Sequence, residues 1–68
     1  MISVRTVTDA RTGDVAVQAY TVRPDGTLLM AERVLRYIDV ETPDRAKVVQ
    51  AERNKARAAL QEVIDAGR

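Results

Sequence analysis

Alternating apolar and polar residues mark two extended segments at the start of the chain. Residues 2–8 (ISVRTVT) and 15–23 (VAVQAYTVR) are rich in β-branched residues and have the composition of strands. The DARTGD segment between them contains the Asp and Gly residues that tight turns use. The pattern predicts two antiparallel strands joined by a loop in which Gly13 adopts a positive φ.

The apolar segment that follows Thr27 admits two interpretations. Its apolar residues also fit a helical stripe, and Thr27 could cap such a helix. The preceding Arg-Pro-Asp-Gly favours a strand, because this turn usually joins antiparallel strands. A third strand starting after this turn would place apolar residues opposite apolar residues of the second strand at most positions, and Gln18 opposite Glu32. We therefore predict a third strand over residues 27–38, with a bulge or an early end near residue 36.

The last third of the chain predicts one long amphipathic helix over residues 43–66. Thr42 is the expected cap, Pro43 the first helical residue and Asp44 a negative charge in the first turn. Gly67 marks the expected end. Apolar residues gather on one side, although Glu52 and Arg53 interrupt that side. The helix would be about 35 Å long, so a three-stranded sheet would cover only part of its apolar stripe.

These elements predict a single α+β domain of residues 1–68. A three-stranded antiparallel β-meander (residues 2–8, 15–23 and 27–38) packs on the C-terminal helix. If Thr8 pairs with Asp14, one face of the sheet is the more apolar, and we predict that the helix covers it. That face collects Ile2, Val4, Tyr20, Val22, Leu28, Met30 and Val34.

The opposite face is then left for a protein partner. It mixes apolar residues with two arginines, a combination common at interfaces. The predicted interface residues are Val7, Val15, Val17, Leu29, Leu35, Arg5 and Arg33.

Composition narrows the chemistry further. The 11 basic and 10 acidic residues leave a net charge of +1, so no overall field attracts nucleic acid or an anionic membrane. The chain has neither cysteine nor histidine, which removes the usual nucleophile–base pairs and the commonest zinc ligands. Asp39, Glu41 and Asp44 could be imagined around Mg²⁺ or Ca²⁺, but they better fit a helix N-terminus and a solvated strand end. We predict no catalytic residue, metal or cofactor.

The sequence therefore favours a non-enzymatic interaction or assembly subunit. We expect it to self-associate or to dock on a larger protein through the second sheet face and the helix, and to bind no membrane or small molecule. The sequence shows no signal-peptide pattern and no long apolar run, so we expect a cytoplasmic location. Its size and composition favour a phage or mobile-element origin. The alternative is a nucleic-acid-associated regulator that uses Arg5, Arg23 and Arg33.

Overall fold

The computed structural model describes residues 1–67 and has the predicted α+β architecture. Three antiparallel strands, β1 (Ser3–Thr8), β2 (Val15–Val22) and β3 (Leu28–Leu35), form one sheet in the order β1-β2-β3. A short helix, α1 (Tyr37–Val40), follows the sheet, and the long helix α2 (Arg45–Ala66) packs across it. No helix among residues 1–67 combines the length and the apolar character that crossing a bilayer requires.

The second hairpin confirms the predicted strand. The backbone N–H of Arg23 donates to the carbonyl of Thr27 (2.8 Å), and Gly26 takes a φ of 89°, which glycine adopts without strain. The carboxylate of Asp25 accepts the N–H of Thr27 (2.8 Å), and this bond lowers the pKa of Asp25. As predicted, the turn sets Val22 opposite Leu28 and Gln18 opposite Glu32, which fixes the register of β2 and β3.

The first hairpin closes one residue away from the predicted register. Thr8 pairs with Val15 rather than Asp14, because Asp9 and Asp14 are joined by a backbone hydrogen bond (2.8 Å) and close the loop. The N–H of Gly13 also donates to the carbonyl of Asp9 (2.8 Å), and Gly13 has the expected positive φ, 79°. A shift of one residue turns every β1 side chain to the other face of the sheet. The predicted pairing of Thr8 with Asp14 was wrong, and with it the face predicted for each residue of β1.

The third strand ends early, within the range predicted for such an end. β3 stops at Leu35, close to the early end near residue 36 that the prediction allowed, and residues 37 and 38 of the predicted range belong to helix α1 instead. Asp14 accepts the backbone N–H of Tyr37 through its carboxylate (2.8 Å), which satisfies a free donor at the start of α1. The Tyr37 ring lies against Gly13, where a Cβ atom would come within 2.7 Å of the ring. The short helix then places Val40 in the core with no exposed surface.

Helix α2 begins two residues later than the predicted boundary. The hydroxyl of Thr42 accepts the N–H of Asp44 (2.9 Å), and the carbonyl of Thr42 accepts the N–H of Arg45 (3.2 Å). Asp44 occupies the N-cap position, and its side chain makes no capping hydrogen bond. The predictions of Thr42 as the cap, Pro43 as the first helical residue and Asp44 as a charge within the first turn were therefore wrong, because the Thr42 hydrogen bonds form a turn that precedes the helix. The helix ends at Ala66, before Gly67, as predicted.

The helix covers the face of the sheet that the sequence analysis assigned to a partner. That face carries Val15, Val17 and Ala19, which are at most 1% exposed. The assignment of the more apolar face to the helix was wrong. The buried core consists of these three residues together with Val40, Ala56 and Leu60.

Charge and size explain which face the helix covers. Glu52, one of the two interruptions in the apolar side of α2, bonds Arg33 of β3. Arg53, the other interruption, donates to the hydroxyl of Thr6 in β1 (2.7 Å). Each polar group on this side of the helix thus meets a complementary group on the sheet, which removes the cost of burying it alone. The small side chains of Ala19 and Ala56 let the helix and the sheet approach closely between these contacts.

Candidate protein-interaction surface

One face of the sheet is left without cover by the helix, and we call it the open face. Residues directly opposite each other in a sheet point to the same side, so the register defines this face. Its members are Ser3, Arg5 and Val7 of β1, Ala16, Gln18, Tyr20 and Val22 of β2, and Leu28, Met30, Glu32 and Val34 of β3.

Large apolar side chains on the open face are exposed. The exposed fractions run from 42% for Met30 to 63% for Val22, with Val7, Leu28 and Val34 between them. All five lie on one side of one small sheet, in two groups on the same exposed surface rather than as single residues scattered over the molecule. Monomeric proteins seldom leave so many large apolar side chains grouped on one exposed face unless that face binds something.

A polar row divides the open face into two apolar corners. Arg5, Gln18 and Glu32 lie opposite one another across the three strands. Arg5 donates to the side-chain oxygen of Gln18, and the amide of Gln18 donates to Glu32. The guanidinium of Arg5 also lies 5.3 Å from the centre of the Tyr20 ring, within range of a cation–π contact. Because the row holds one cation and one anion, it gives the open face no net charge.

The two corners flank this row. The loop corner, next to the first hairpin loop, consists of Val7, Ala16 and Val34. The turn corner, next to the second hairpin turn, consists of Tyr20, Val22, Leu28 and Met30.

The structure separates the interface residues predicted from the sequence. Val7 and Arg5 are exposed on the open face. The other predicted residues lie on the covered face: Val15 and Val17 are buried in the core, and Leu29 and Leu35 pack partly buried against it. Arg33 also lies on that face, where it pairs with Glu52.

The three arginines of the nucleic-acid alternative occupy three different environments. Arg5 lies on the open face in the polar row, and Arg33 lies on the covered face against Glu52. Arg23 is exposed at the second turn, at the end of the sheet. The prediction that Arg5 and Arg33 share one sheet face was therefore wrong. Its cause is the one-residue shift of β1 against β2.

The electrostatics of the covered face are satisfied inside the molecule. The Glu52 side chain is 14% exposed and accepts hydrogen bonds from both Arg33 and Lys55. The bond from the Arg33 guanidinium lowers the pKa of Glu52 below its usual 4.5, against the opposing effect of burial. The carboxylate therefore stays ionised at neutral pH and holds the helix to β3.

The acidic residues near the start of α2 do not form a metal centre. Among residues 1–67, no group of three or more potential ligands is placed to hold a metal ion. Asp39 instead accepts a hydrogen bond from Arg36 (3.3 Å). The neighbouring Glu41 carboxylate raises the pKa of Tyr37.

The two outer strands of the sheet differ in how their free edges are covered. On the β1 edge, Arg53 donates to the carbonyl of Val4 (3.4 Å) and Arg57 donates to the carbonyl of Ile2 (3.3 Å). On the β3 edge, no group among residues 1–67 forms a hydrogen bond with the backbone N–H and C=O groups that point away from the sheet. Natural proteins usually guard a free edge because it can pair with another strand. Among residues 1–67, β1 alone has such a guard.

Six open-face residues were missed as interface candidates, because the sequence analysis put them under the helix or on neither face. They are Ala16, Tyr20, Val22, Leu28, Met30 and Val34. The signal that could have found them is the single acidic residue on the apolar side of α2. Glu52 requires a cation beneath it, and Arg33 is the cation within the third strand that faces away from Glu32.

The chain matches no family model, and no curated protein or solved structure is significantly similar to it.

Proposed function

We propose that this protein is a small, non-enzymatic interaction or assembly subunit that binds a protein partner, or another copy of itself, through its sheet. The observation that carries this proposal is the open face, on which five large apolar residues are between 42% and 63% exposed. Full burial of an exposed side chain of this kind contributes about 1.5–3 kcal/mol, and roughly half of that remains to be gained at each of these half-exposed positions. The surface therefore offers a partner substantial binding energy without further change to the fold.

The small core supports the same proposal. It contains six buried residues, two of which are alanines. A domain of this size buries only about 60% of the surface that its unfolded chain exposes. Without disulfides or metal sites, small domains commonly gain stability from association. A partner on the open face would add a second apolar layer to the sheet.

The composition of the open face fits a protein partner better than other ligands. Its apolar corners flank a polar row in which one cation and one anion offset each other, whereas a nucleic-acid surface concentrates cations. We do not include the nucleic-acid alternative in this proposal, because Arg5 and Arg33 lie on opposite faces. The proposal retains a cytoplasmic location and a phage or mobile-element origin.

Site-specific photo-crosslinking in cells of the native host tests the proposal. A photoreactive residue at Val7 samples the open face, and one at Thr8 samples the next position of the same strand, which is exposed but points to the other side. We expect protein adducts from position 7 and few from position 8. In a second experiment, Val7→Glu should reduce adducts formed from a photoreactive residue at Val22. Equal labelling at positions 7 and 8, or no adduct at either, would contradict the proposal.

A further inference from the structure

We propose that two copies of the chain join through β3, antiparallel and around a two-fold axis at Ala31, to form one six-stranded sheet. The inference rests on the proposed function and names one partner, a second copy. Because the axis is perpendicular to the sheet, both α2 helices lie on one side and both open faces form one surface on the other. Val7 lies two strands from the joint, so it remains free for a further partner.

The hydrogen-bond pattern of β3 identifies the groups that the second copy would use. Arg23 and Thr27 form a hydrogen-bonded pair at the turn, and such pairs alternate along an antiparallel ladder. The residues of β3 that bond β2 are therefore Leu29, Ala31, Arg33 and Leu35. The backbone groups of Leu28, Met30, Glu32 and Val34 point away from β2, and these four residues also carry the open-face side chains.

This outward set restricts the registers available to two copies of β3. Hydrogen-bonded pairs must form between outward residues, which all have even numbers. A two-fold axis at Ala31 pairs Leu28 with Val34 of the second copy, and Met30 with Glu32. It makes four hydrogen-bonded pairs, or about eight backbone bonds, over residues 28–34.

The side chains favour this register over its neighbours. Leu28 and Val34 are 53% and 61% exposed, and the register sets them opposite each other twice by symmetry. The turn corner of each copy then continues into the loop corner of the other. Centring the axis on Glu32 instead would set two carboxylates opposite each other, which is destabilising. Centring it on Met30 would leave Val34 opposite Gly26, in the turn.

The side of α2 nearest β3 carries a cation and an anion that a second copy of the helix could pair with. Glu52 bonds both Arg33 and Lys55, whereas Arg53 and Arg57 reach β1, so Lys55 lies on the β3 side of the helix. At 100° per residue, the same side carries Ala51, Ala59, Glu62 and Ala66. The alanines leave room for a second helix to approach.

The same two-fold axis fits both β3 and α2. Glu52 of α2 meets Arg33, and Ile64 lines the same depression as Leu29, so α2 runs antiparallel to β3. The level of Ala31 lies midway, near residues 58 and 59 of α2. A two-fold axis there sets Lys55 of each copy beside Glu62 of the other, and Ala51 beside Ala66. The charges and the backbone edge thus independently place the axis at one position.

Sedimentation equilibrium of the full chain, from micromolar to millimolar concentration, is the primary measurement. We expect a monomer–dimer equilibrium, and hydrogen exchange should show the amides of Met30 and Glu32 protected in the dimer. Met30→Pro removes an outward N–H without removing a bond to β2, and Met30→Ala is its matched control. Loss of one N–H per copy should weaken the dimer about tenfold or more relative to the alanine variant.

A charge exchange on α2 tests the helix contact without touching β3. Lys55→Glu and Glu62→Lys should each weaken the dimer about three- to tenfold, because each places like charges together at two symmetric contacts. The double variant should restore the dimer, although the carboxylate introduced at position 55 would still repel Glu52 within its own helix. An intrahelical role alone would give no restoration, since residues 55 and 62 lie about 10 Å apart along the helix.

Failure of this inference can be told apart from failure of the proposed function. Two results would overturn the β3 joint. One is a chain that stays monomeric at millimolar concentration. The other is a dimer that is equally strong in Met30→Pro and Met30→Ala and in which the unsubstituted chain shows no protection of the Met30 and Glu32 amides. Adducts from position 7 in either case would leave the proposed function standing. A β3 dimer without adducts from position 7 would support the joint and overturn the open face as a partner surface.

Discussion

The two faces of this sheet carry similar numbers of apolar residues but serve different purposes. On the covered face, Val15, Val17 and Ala19 are at most 1% exposed. On the open face, Leu28 and Met30 are about half exposed. The two faces therefore differ in how far they are covered and not in how many apolar residues they carry.

The difference shows that complementarity, rather than apolar content, decides which face a helix covers. Helix α2 carries Glu52 and Arg53 in its sheet-facing side, and the covered face supplies a partner for each, Arg33 for Glu52 and Thr6 for Arg53. Burying an unpaired or repelled charge costs more than several apolar contacts contribute.

The largest expected difference between the faces comes from a charge placed in each. Val17→Asp puts an isolated carboxylate where the native side chain has no exposed surface, and we expect it to remove most or all of the stability, at about 4 kcal/mol or more. Val22→Asp, in the same strand but 63% exposed on the open face, should cost about 1 kcal/mol or less. Urea unfolding followed by circular dichroism compares them. Equal losses would show that the open face is structurally essential.

Truncating one leucine on each side gives a smaller contrast. Leu60 is 1% exposed at the centre of the core, and Leu60→Ala should cost about 2–5 kcal/mol because it leaves a cavity. Leu28→Ala should cost less than about 1 kcal/mol, since Leu28 is 53% exposed. The measurement is thermal and urea unfolding at a concentration low enough to keep the chain monomeric. A costly Leu28→Ala under those conditions would mean that the open face contributes to the core.

The ion pair on the covered face gives the smallest effect and a defined pH dependence. Arg33 lowers the pKa of Glu52 below 4.5, so the unfolded chain binds the proton more readily than the folded one. The stabilisation is therefore present above about pH 4.5 and is lost as the pH falls through the lowered value.

Glu52→Gln should cost about 1 kcal/mol at pH 7 and flatten the stability curve below pH 4.5. Glu32→Gln, on the open face, should change stability by less than about 0.5 kcal/mol at pH 7. Urea unfolding across pH 3–7 measures both variants. If the stability of Glu52→Gln fell below pH 4.5 as steeply as that of the unsubstituted chain, the contact with Arg33 would not hold the helix.

Local signals predicted most of the fold. The Pro24-Asp25-Gly26 turn fixed the register of β2 and β3, because few turn types satisfy its proline and its glycine at once. The first loop lacks such a constraint, and the aspartates at both of its ends allow closure at either of two lengths. Val4 and Val7 of β1 also lie on opposite faces, so alternation could not correct the register.

The candidate surface was less predictable than the fold. The sequence analysis was right that one side of the sheet would lack cover by the helix, because a single helix cannot cover both sides. It identified that side wrongly, because the choice depends on contacts between residues far apart in the chain. Arg33 and Glu52 are 19 positions apart, and Thr6 and Arg53 are 47 apart.

The sequence by itself determined the three strands and the long helix, their order and the antiparallel pairing of the second hairpin, since turn chemistry and periodicity act between near neighbours. It also determined that the chemistry of histidine and cysteine is absent. It did not predict the short helix α1. Only the tertiary structure decided which face is open, which sheet edge is guarded and where Arg5 and Arg33 lie. These features depend on the docking of one helix, whose position is set by the pairing of buried charges and the fit of small side chains across two layers.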